Sequence, residues 1–356
     1  MASSMDGFRN QLTKRYGGRL TQTIQPYEVI STGSMALDVV TRIGGYVRGR
    51  THEIIGPPAA AKTSMSILGA VEHQRATDKA VGWIDMEHSF DFDWAQSLGL
   101  DVSPERFTHI FPDDSEDVAD MIKAMTQSGL YSEVVVDSIG GMESKKAFDK
   151  DAGEVTMGRN AQVITRMVKQ VSALAWNNQV TVIFVNQHRA NLSGLGMTDI
   201  PAGPRALQYN TTMSLKAARA SGTAAETTLT VKELGQDKPI PVGYKFMIKV
   251  QRSRVASQGR QTDLWLINES TDQYGPIGID RAEEAASVGI MMEIITRAGS
   301  NYTLPTGGTF FGRPKLVTAL RAEPAAIAEI RRLALDSVSH EVTEKGAVSM
   351  EEDDSE

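Results

Sequence analysis

The sequence predicts an α/β protein: a mostly parallel central sheet flanked by helices, with a short helix-strand arm before it and a small α+β domain after it. Three observations carry that prediction. Short β-branched runs ("HEII", "AVGWID", "EVVVD", "VTVIFVN") alternate with helical stretches such as Ser115 to Gln127 and Met157 to Trp176, the rhythm of parallel βαβ units. After Asn210 strand-like runs follow one another without long helices ("TTMSLKAA", "TTLTVKEL", "KFMIKVQ", "DLWLI"), which predicts an antiparallel extension of the sheet. From about Asn268 the pattern changes to short helices and strands, ending in the helix-like Pro324 to Leu335.

These changes divide the chain into an arm at 1–30, a core at 31–267, a small domain at 268–337 and an acidic tail at 338–356, expected to be disordered. The arm holds a short amphipathic candidate helix from Phe8 to Tyr16 and the strand-like "RLTQTIQ". With 356 residues, 41% of them hydrophobic and 23% charged, the chain can bury a sizeable core and reads as an ordinary soluble protein. No run reaches the roughly 18 apolar residues of a membrane span, and Met1-Ala2-Ser3-Ser4 opens no signal peptide. The absence of cysteine excludes disulfides and thiolate metal sites. All of this fits a cytoplasmic protein.

The net charge of −7 argues at first against a nucleic-acid partner, yet five of the acidic groups sit in the last six residues, "EEDDSE". Elsewhere, Tyr244 to Arg260 carries five cations and no acid, and His188 to Ala220 carries four Lys/Arg against Asp199 alone. Two basic segments leave DNA or phosphate binding open.

The sharpest motif is "GPPAAAKTS": Gly56, Pro57, Pro58, Ala59, Ala60, Ala61, Lys62, Thr63 and Ser64. It matches the phosphate-loop pattern G-x-x-x-x-G-K-[ST] except that Ala61 replaces the second glycine, and it lies between a strand-like and a helix-like segment, as that loop requires. In such a loop backbone N–H groups and a helix N-terminus cradle phosphates, Lys62 reaches the β- and γ-phosphates, and the Thr63 hydroxyl holds Mg²⁺. The methyl group of Ala61 matters if that residue needs a positive φ or if ligand approaches its Cβ. Three further signals end strands. Asp137, after "EVVV", suits a Mg²⁺-water ligand or a turn cap. Glu87, in "WIDMEHSFD", suits the group that positions an attacking water, while His88 beside it reads better as a surface or supporting residue than as a metal ligand. Asn186-Gln187, after "VIFV", offers an amide that can sense a γ-phosphate or cap the strand.

Taken together, "ISTGSMALD…GGYVRGRTHEIIGPPAAAKTS", "WIDMEHSFD", "VVVDSIGGM" and "VIFVNQHR…AGPRALQY" resemble the bacterial RecA recombinases, close to colinearly from about Ile30 to Leu266. The C-terminal segment resembles the small domain of that family more faintly. The alanine-containing loop is similar to that of phage-encoded, UvsX-like members. The resemblance implies a RecA-like P-loop ATPase core that uses ATP and Mg²⁺. Within it Lys62 and Thr63 bind phosphates and metal, Asp137 holds the Mg²⁺ shell partly through water, and Glu87 is the catalytic carboxylate. Asp91 and Trp94 fall where the family contacts adenine, the indole being suited to stacking. Gln187 falls at the switch between γ-phosphate and DNA. Arg252 and Arg254 match two basic positions that reach the ATP of the neighbouring subunit; the family has lysine there, and arginine presents a wider fork.

Two loops carry DNA in the same scheme, at about Asp149 to Met157 and His188 to Ala202. Met157 and Leu192 lie near positions where the family wedges apolar side chains between bases, though Met157 also suits a helix-start core contact. Arg159, Lys169, Arg189 and Arg205 are phosphate-contact candidates as a cluster. The arm implies docking on the next subunit, the strand adding to a sheet edge, so that the homo-oligomer is a helical filament with ATP at its interfaces and Tyr209 near one of them. The tail reads equally as a DNA mimic or a solubilising segment. The function implied is ATP-dependent homologous pairing and strand exchange between single-stranded DNA and a homologous duplex, with single-strand-binding and loader proteins as possible partners and no membrane. Two alternatives stand beside it: another RecA-fold motor, such as a ring helicase or branch-migration ATPase, and a catalytically silent DNA-binding scaffold.

Overall fold

The computed structural model describes residues 5–16, 27–112, 115–139, 155–189, 200–201, 207, 210–223, 228–231 and 240–351. A first helix, α1 (Met5–Tyr16), matches the expected arm helix; the strand expected after it lies outside the described residues. Next come β1 (Val29–Ile30) and β2 (Tyr46–Val47), an antiparallel pair enclosing α2 (Met35–Thr41). Ser34 caps α2, its side chain accepting from Leu37 N–H at 3.1 Å, and Arg42 ends it in the left-handed region.

The core follows as β3 (Thr51–Gly56), α3 (Lys62–Ala76), β4 (Ala80–Asp85), α4 (Phe92–Ser97), β5 (Phe107–Ile110), α5 (Ser115–Ser128), β6 (Tyr131–Asp137), α6 (Val155–Asn178), β7 (Thr181–Arg189), β8 (Ile200–Pro201), β9 (Met213–Arg219), β10 (Thr228–Val231), β11 (Ile240–Ser253) and β12 (Gln261–Ile267). Then come β13 (Gly278–Ile279), α7 (Arg281–Met291), β14 (Thr296–Ala298), β15 (Asn301–Thr303), β16 (Thr309–Phe311), α8 (Arg313–Ala322) and α9 (Pro324–Glu351).

Among the described residues, eleven strands form one sheet in the order β13-β12-β11-β9-β3-β7-β6-β4-β5, with β10 added to β11 and β8 to β7. Strands β5, β4, β6, β7, β3 and β9 are mutually parallel, and the sheet turns antiparallel at β11, β12 and β13. The strands are apolar on both faces because both faces are covered. On β7, Ile183 and Val185 enter a core shared with α2 and α3, while Val182 and Phe184 enter a second core shared with α5 and α6.

Two expectations are corrected, each in part. The strand-like runs after Asn210 do form an antiparallel extension through β9, β10, β11 and β12, but β9 also joins the parallel core by pairing with β3 in parallel. The connection over residues 190–212 is long enough for the crossover that parallel pairing needs. The segment after 267, expected as a small α+β domain, packs directly on the core. β13 continues the main sheet, and Ala282 and Ala285 of α7, Leu316 of α8 and Ile330 of α9 lie in one apolar cluster with Met35 and Leu37 of α2. Buried polar contacts tie the same seam, Ser34 Oγ donating to Glu284 and the Arg331 guanidinium donating to Ser31 Oγ at 3.0 Å and to Asp38 at 3.3 Å. Finally, helix α9 runs on to Glu351, past Ser337 where disorder is expected. Its first half is fixed by burial of Ala326, Ile330, Ala334 and Val338. Once a helix is nucleated, each added residue costs little. No helix among the described residues is long and apolar enough to cross a membrane.

Candidate active site

Because β3, β4, β6 and β7 run parallel, their carboxyl ends share one sheet edge. The register sets Gly56 beside Gln187 and Asp85 beside Asp137. Ligands of open α/β sheets bind in that crevice, and all the strand-end signals of the sequence converge there.

Gly56 is needed because β9 passes close by: a Cβ there would lie 2.2 Å from the Ala217 carbonyl oxygen. The loop then curls through two left-handed alanines, Ala59 at φ 57 and Ala61 at φ 60. The position where the pattern has glycine thus does demand a positive φ, and alanine meets that demand under strain of about 1–2 kcal/mol. Ala61 is the N-cap of α3 and supplies no side-chain cap, and no acid occupies the first turn. The first helical bond into the cap runs from Met65 N–H to Ala61 O at 2.9 Å. The N–H groups of Lys62, Thr63 and Ser64 are therefore the open donors of a 15-residue helix. Lys62 folds back over the loop, its Nζ donating to Pro57 O at 2.8 Å. Burial pulls its ammonium below the ordinary lysine range, opposed by Asp137 and Glu87. Open backbone donors beside a partly desolvated cation fit the phosphates of ATP.

Thr63 Oγ1 donates to Asp137 Oδ2 at 2.8 Å. Burial pushes the Asp137 carboxyl up to about 6; the Thr63 hydrogen bond and Lys62 oppose the shift, and Glu87 and Asp85 add to it. A hydroxyl and a buried carboxylate short of positive charge fit Mg²⁺, which takes oxygen ligands and keeps several waters.

Glu87 stands exposed on the loop after β4. Asp85 shapes that loop: one of its oxygens accepts from Glu87 N–H and the other from Ser89 and Phe90 N–H, each at 3.0 Å. The Glu87 carboxylate itself accepts from Ser138 Oγ, just past β6, and from the Gln187 amide at the end of β7. Three strand ends thus meet at one carboxylate oxygen. Gln187 lies two residues before Arg189, and the pairs His188–Pro201 and Arg189–Ile200 close the base of the second expected DNA loop.

Asp91 and Trp94 are adjacent as expected: the exposed Asp91 caps α4 by accepting from Trp94 N–H at 2.9 Å. The Trp94 indole is half-buried against the main core and donates to Ser64 Oγ at 3.2 Å, which ties it to the start of α3. Arg252 and Arg254 lie at the end of β11 after a shift in register at Gln251. Phe246, Ile248 and Val250 point into the core at every second residue, so regular alternation would send Arg252 after them. The extra residue flips it to the opposite face. There it lines a cleft of about 240 Å³ with Glu53 and Ser214.

The DNA candidates are less gathered. Lys169 is exposed on α6, about 18 Å along the helix axis from Met157. Met157 and Arg159 fall in the first turns of α6 and Arg189 ends β7, but their side chains lie outside the described residues, as do Leu192, Arg205 and Tyr209 altogether. Four functional candidates escape the sequence reading. Ser138 follows the strand-end aspartate directly, Asp85 ends its own strand two residues before Glu87, and Glu53 is a carboxylate in the middle of a fully buried strand. His109, whose Nε2 lies 3.2 Å from Asp85, carries no signal of its own.

Fold and site together define a P-loop nucleotide-binding protein. A family model described as the RecA N-terminal domain matches residues 7–270. Protein RecA of Thermotoga neapolitana is 30% identical over 315 residues, covering 87% of this chain and 84% of that one. Protein RecA of Oceanobacillus iheyensis is 28% identical over 97% of this chain and 96% of its own, and that of Campylobacter lari 26% identical over 99% and 98%. The chain belongs to the RecA family.

Proposed function

We propose that this is a DNA-dependent ATPase of homologous recombination, which forms a helical filament on single-stranded DNA and catalyses pairing and strand exchange with a homologous duplex. The observation that carries the reading is the Gln187–Glu87 hydrogen bond, which joins the group that would position the attacking water to the strand that leads directly into the second loop. Lys62 and the N–H groups of residues 59–64 would hold the phosphates; Thr63 and Asp137 would hold Mg²⁺. Bound ATP and Mg²⁺ supply the cleavable phosphoanhydride and the charge that screens it. Asp91 and Trp94 would face the base, and Arg252 and Arg254 the nucleotide of the adjoining subunit. Gln187 would exchange Glu87 for the γ-phosphate and so bias the second loop, a population shift driven by contacts that hydrolysis removes. Met157 and Leu192 as wedges, with Arg159, Lys169, Arg189 and Arg205 on phosphates, complete the DNA reading.

The arm with α1 would dock on the neighbouring subunit. Ala61 supports a place among the phage-encoded, UvsX-like members. Single-strand-binding and loader proteins would be accessory partners in the cytoplasm. The test is ATP hydrolysis with Mg²⁺, with and without single-stranded DNA, beside micrographs of the complex formed with a slowly hydrolysed ATP analogue. Stimulated hydrolysis with open helical filaments is expected. Closed rings would overturn the recombinase in favour of a motor, and unstimulated hydrolysis with ATP-independent DNA binding would overturn the ATPase coupling.

A further inference from the structure

Glu53 is a carboxylate at the centre of the sheet, fully buried on β3 between β7 and β9. Burial pushes it above the ordinary carboxylate range, against the pull of Asn186, Ser214 and Arg252. A buried acid is a poor way to stabilise a sheet, because its desolvation offsets what its partners return. Its partners, however, form a line. Asn186 Nδ2 donates to Glu53 Oε1 at 2.9 Å, and Ser214 Oγ donates to Oε2 at 2.7 Å. On one side Asn186 Oδ1 accepts the backbone N–H of Gln187 at 2.9 Å, the residue whose amide reaches Glu87. On the other side Ser214 is the register partner of Arg252, which the irregularity at Gln251 has turned to this face. Hydrogen bonds from Gln187 to Ser214 cross β7, β3 and β9, and the Ser214–Arg252 register pair carries the line to the neighbouring β11.

We infer that Glu53 is a positioning residue: a hydrogen-bonded strut that couples the γ-phosphate sensor Gln187 of one nucleotide site to the basic pair Arg252 and Arg254 that serves the next. The inference rests on the functional reading above. It gives the buried carboxylate a use that packing does not. An apolar side chain at 53 would fill the space but leave Asn186 free to rotate, and the Gln187 backbone would lose its support. Movement at either end would then no longer be felt at the other, because the coupling needs an unbroken set of contacts with two arrangements. Glutamine at 53 could still accept from Asn186 and donate to Ser214, whose hydroxyl can reverse its role.

The experiment compares the parent with Glu53→Leu, Glu53→Gln and Ser214→Ala. Two quantities are measured: affinity for a fluorescent ATP analogue without DNA, and the factor by which ATP raises affinity for single-stranded DNA. Glu53→Leu is expected to bind the analogue within about threefold of the parent and to lose at least tenfold of the ATP-induced gain. Glu53→Gln should restore most of that gain, and Ser214→Ala, which deletes one hydroxyl, should lower it severalfold. An unchanged gain in Glu53→Leu overturns the inference, as does a loss of analogue affinity by the same factor, which would mean local damage to the site. Should Glu53→Leu fail to melt cooperatively, an unchanged gain in Ser214→Ala overturns it instead. A parent with no ATP-induced gain overturns the functional reading and the strut with it, whereas a parent gain that survives every variant overturns the strut alone.

Discussion

The Thr63 hydroxyl donates to Asp137 Oδ2 at 2.8 Å, joining the start of α3 to the end of β6 where two further acids, Glu87 and Asp85, add their charge. In the folded chain this carboxyl holds its proton up to about 6, against an ordinary value of 3.8, mainly through burial. The folded state therefore binds more protons than the unfolded state between roughly pH 4 and pH 6, and stability falls as pH rises through that window. Above it, the cost of ionised Asp137 is fully present. Asp137→Asn cannot ionise, so without Mg²⁺ it should be more stable than the parent by about 1–3 kcal/mol near pH 7. The gain should vanish below about pH 4, with hydrolysis impaired throughout. Asp38, likewise pushed up to about 6 by burial, should leave some of the slope behind in the variant. Urea unfolding in the presence of chelator at several pH values measures this; a variant equal to the parent near neutrality would refute the electrostatic account of the pair.

Ala61 at φ 60 has the opposite relation to function, being strained without carrying any chemistry. Glycine there would release about 1–2 kcal/mol of left-handed strain. It would add about 0.5–1 kcal/mol of chain entropy to the unfolded state. The difference favours Ala61→Gly by up to about 1.5 kcal/mol, with nucleotide affinity kept or raised. Thermal unfolding with and without nucleotide reads both. A destabilised Ala61→Gly would mean that the loop has relaxed around the methyl group and that the alanine is a fitted residue.

What the sequence made legible follows the physics of each signal. Parallel strands buried on both faces announce themselves as apolar runs, so the order of Gly56, Glu87, Asp137 and Gln187 along the chain already placed four groups at one sheet edge. The parallel entry of β9 was hidden, because strand propensity carries no direction and the connection was long enough for either sense. The irregularity at Gln251 was hidden as well: one extra residue in a 14-residue strand changes which face Arg252 occupies without changing composition. Glu53 was visible as a letter and invisible as a partner, since Asn186 and Ser214 lie 133 and 161 residues away.

The C-terminal segment shows the same blindness to long-range contact. Its short elements read as a small domain, but not as one this closely joined to the core: Ala282, Ala285, Leu316 and Ile330 complete the cluster that covers Met35 and Leu37, and Glu284 satisfies Ser34 and the Ala36 N–H. A chain ended at residue 270 would expose that apolar surface and leave the Ser34 loop without its acceptor. We expect it to aggregate or to unfold at least about 3 kcal/mol more easily than the full chain. The full chain should melt in one transition. Calorimetry of both decides the matter, and a soluble, cooperatively folded 1–270 fragment would refute the dependence of the core on this segment.

Arg252 reaches the opposite face from the core only through the irregularity beside it, and it lines a cleft with Glu53 and Ser214. Lys62 lies across the loop, bonded to Pro57. If the first group serves the neighbour's nucleotide and the second serves its own, defects in the two must complement each other. Lys62→Ala alone has no working phosphate site, and Arg252→Ala alone has no working partner side; each should lack DNA-stimulated hydrolysis. Mixed in equal amounts before DNA is added, they create interfaces in which the intact Lys62 of one subunit faces the intact Arg252 of the next. Random head-to-tail assembly makes about a quarter of the interfaces of this kind. Hydrolysis in the mixture should therefore recover to a fraction of that order, from near zero in either component. Recovery requires the two residues to act on one nucleotide from different subunits. A mixture as inactive as its parts, under conditions where co-assembly is verified by labelled subunits, would place Arg252 in its own subunit's site and remove the basis for filament-coupled hydrolysis through this strand.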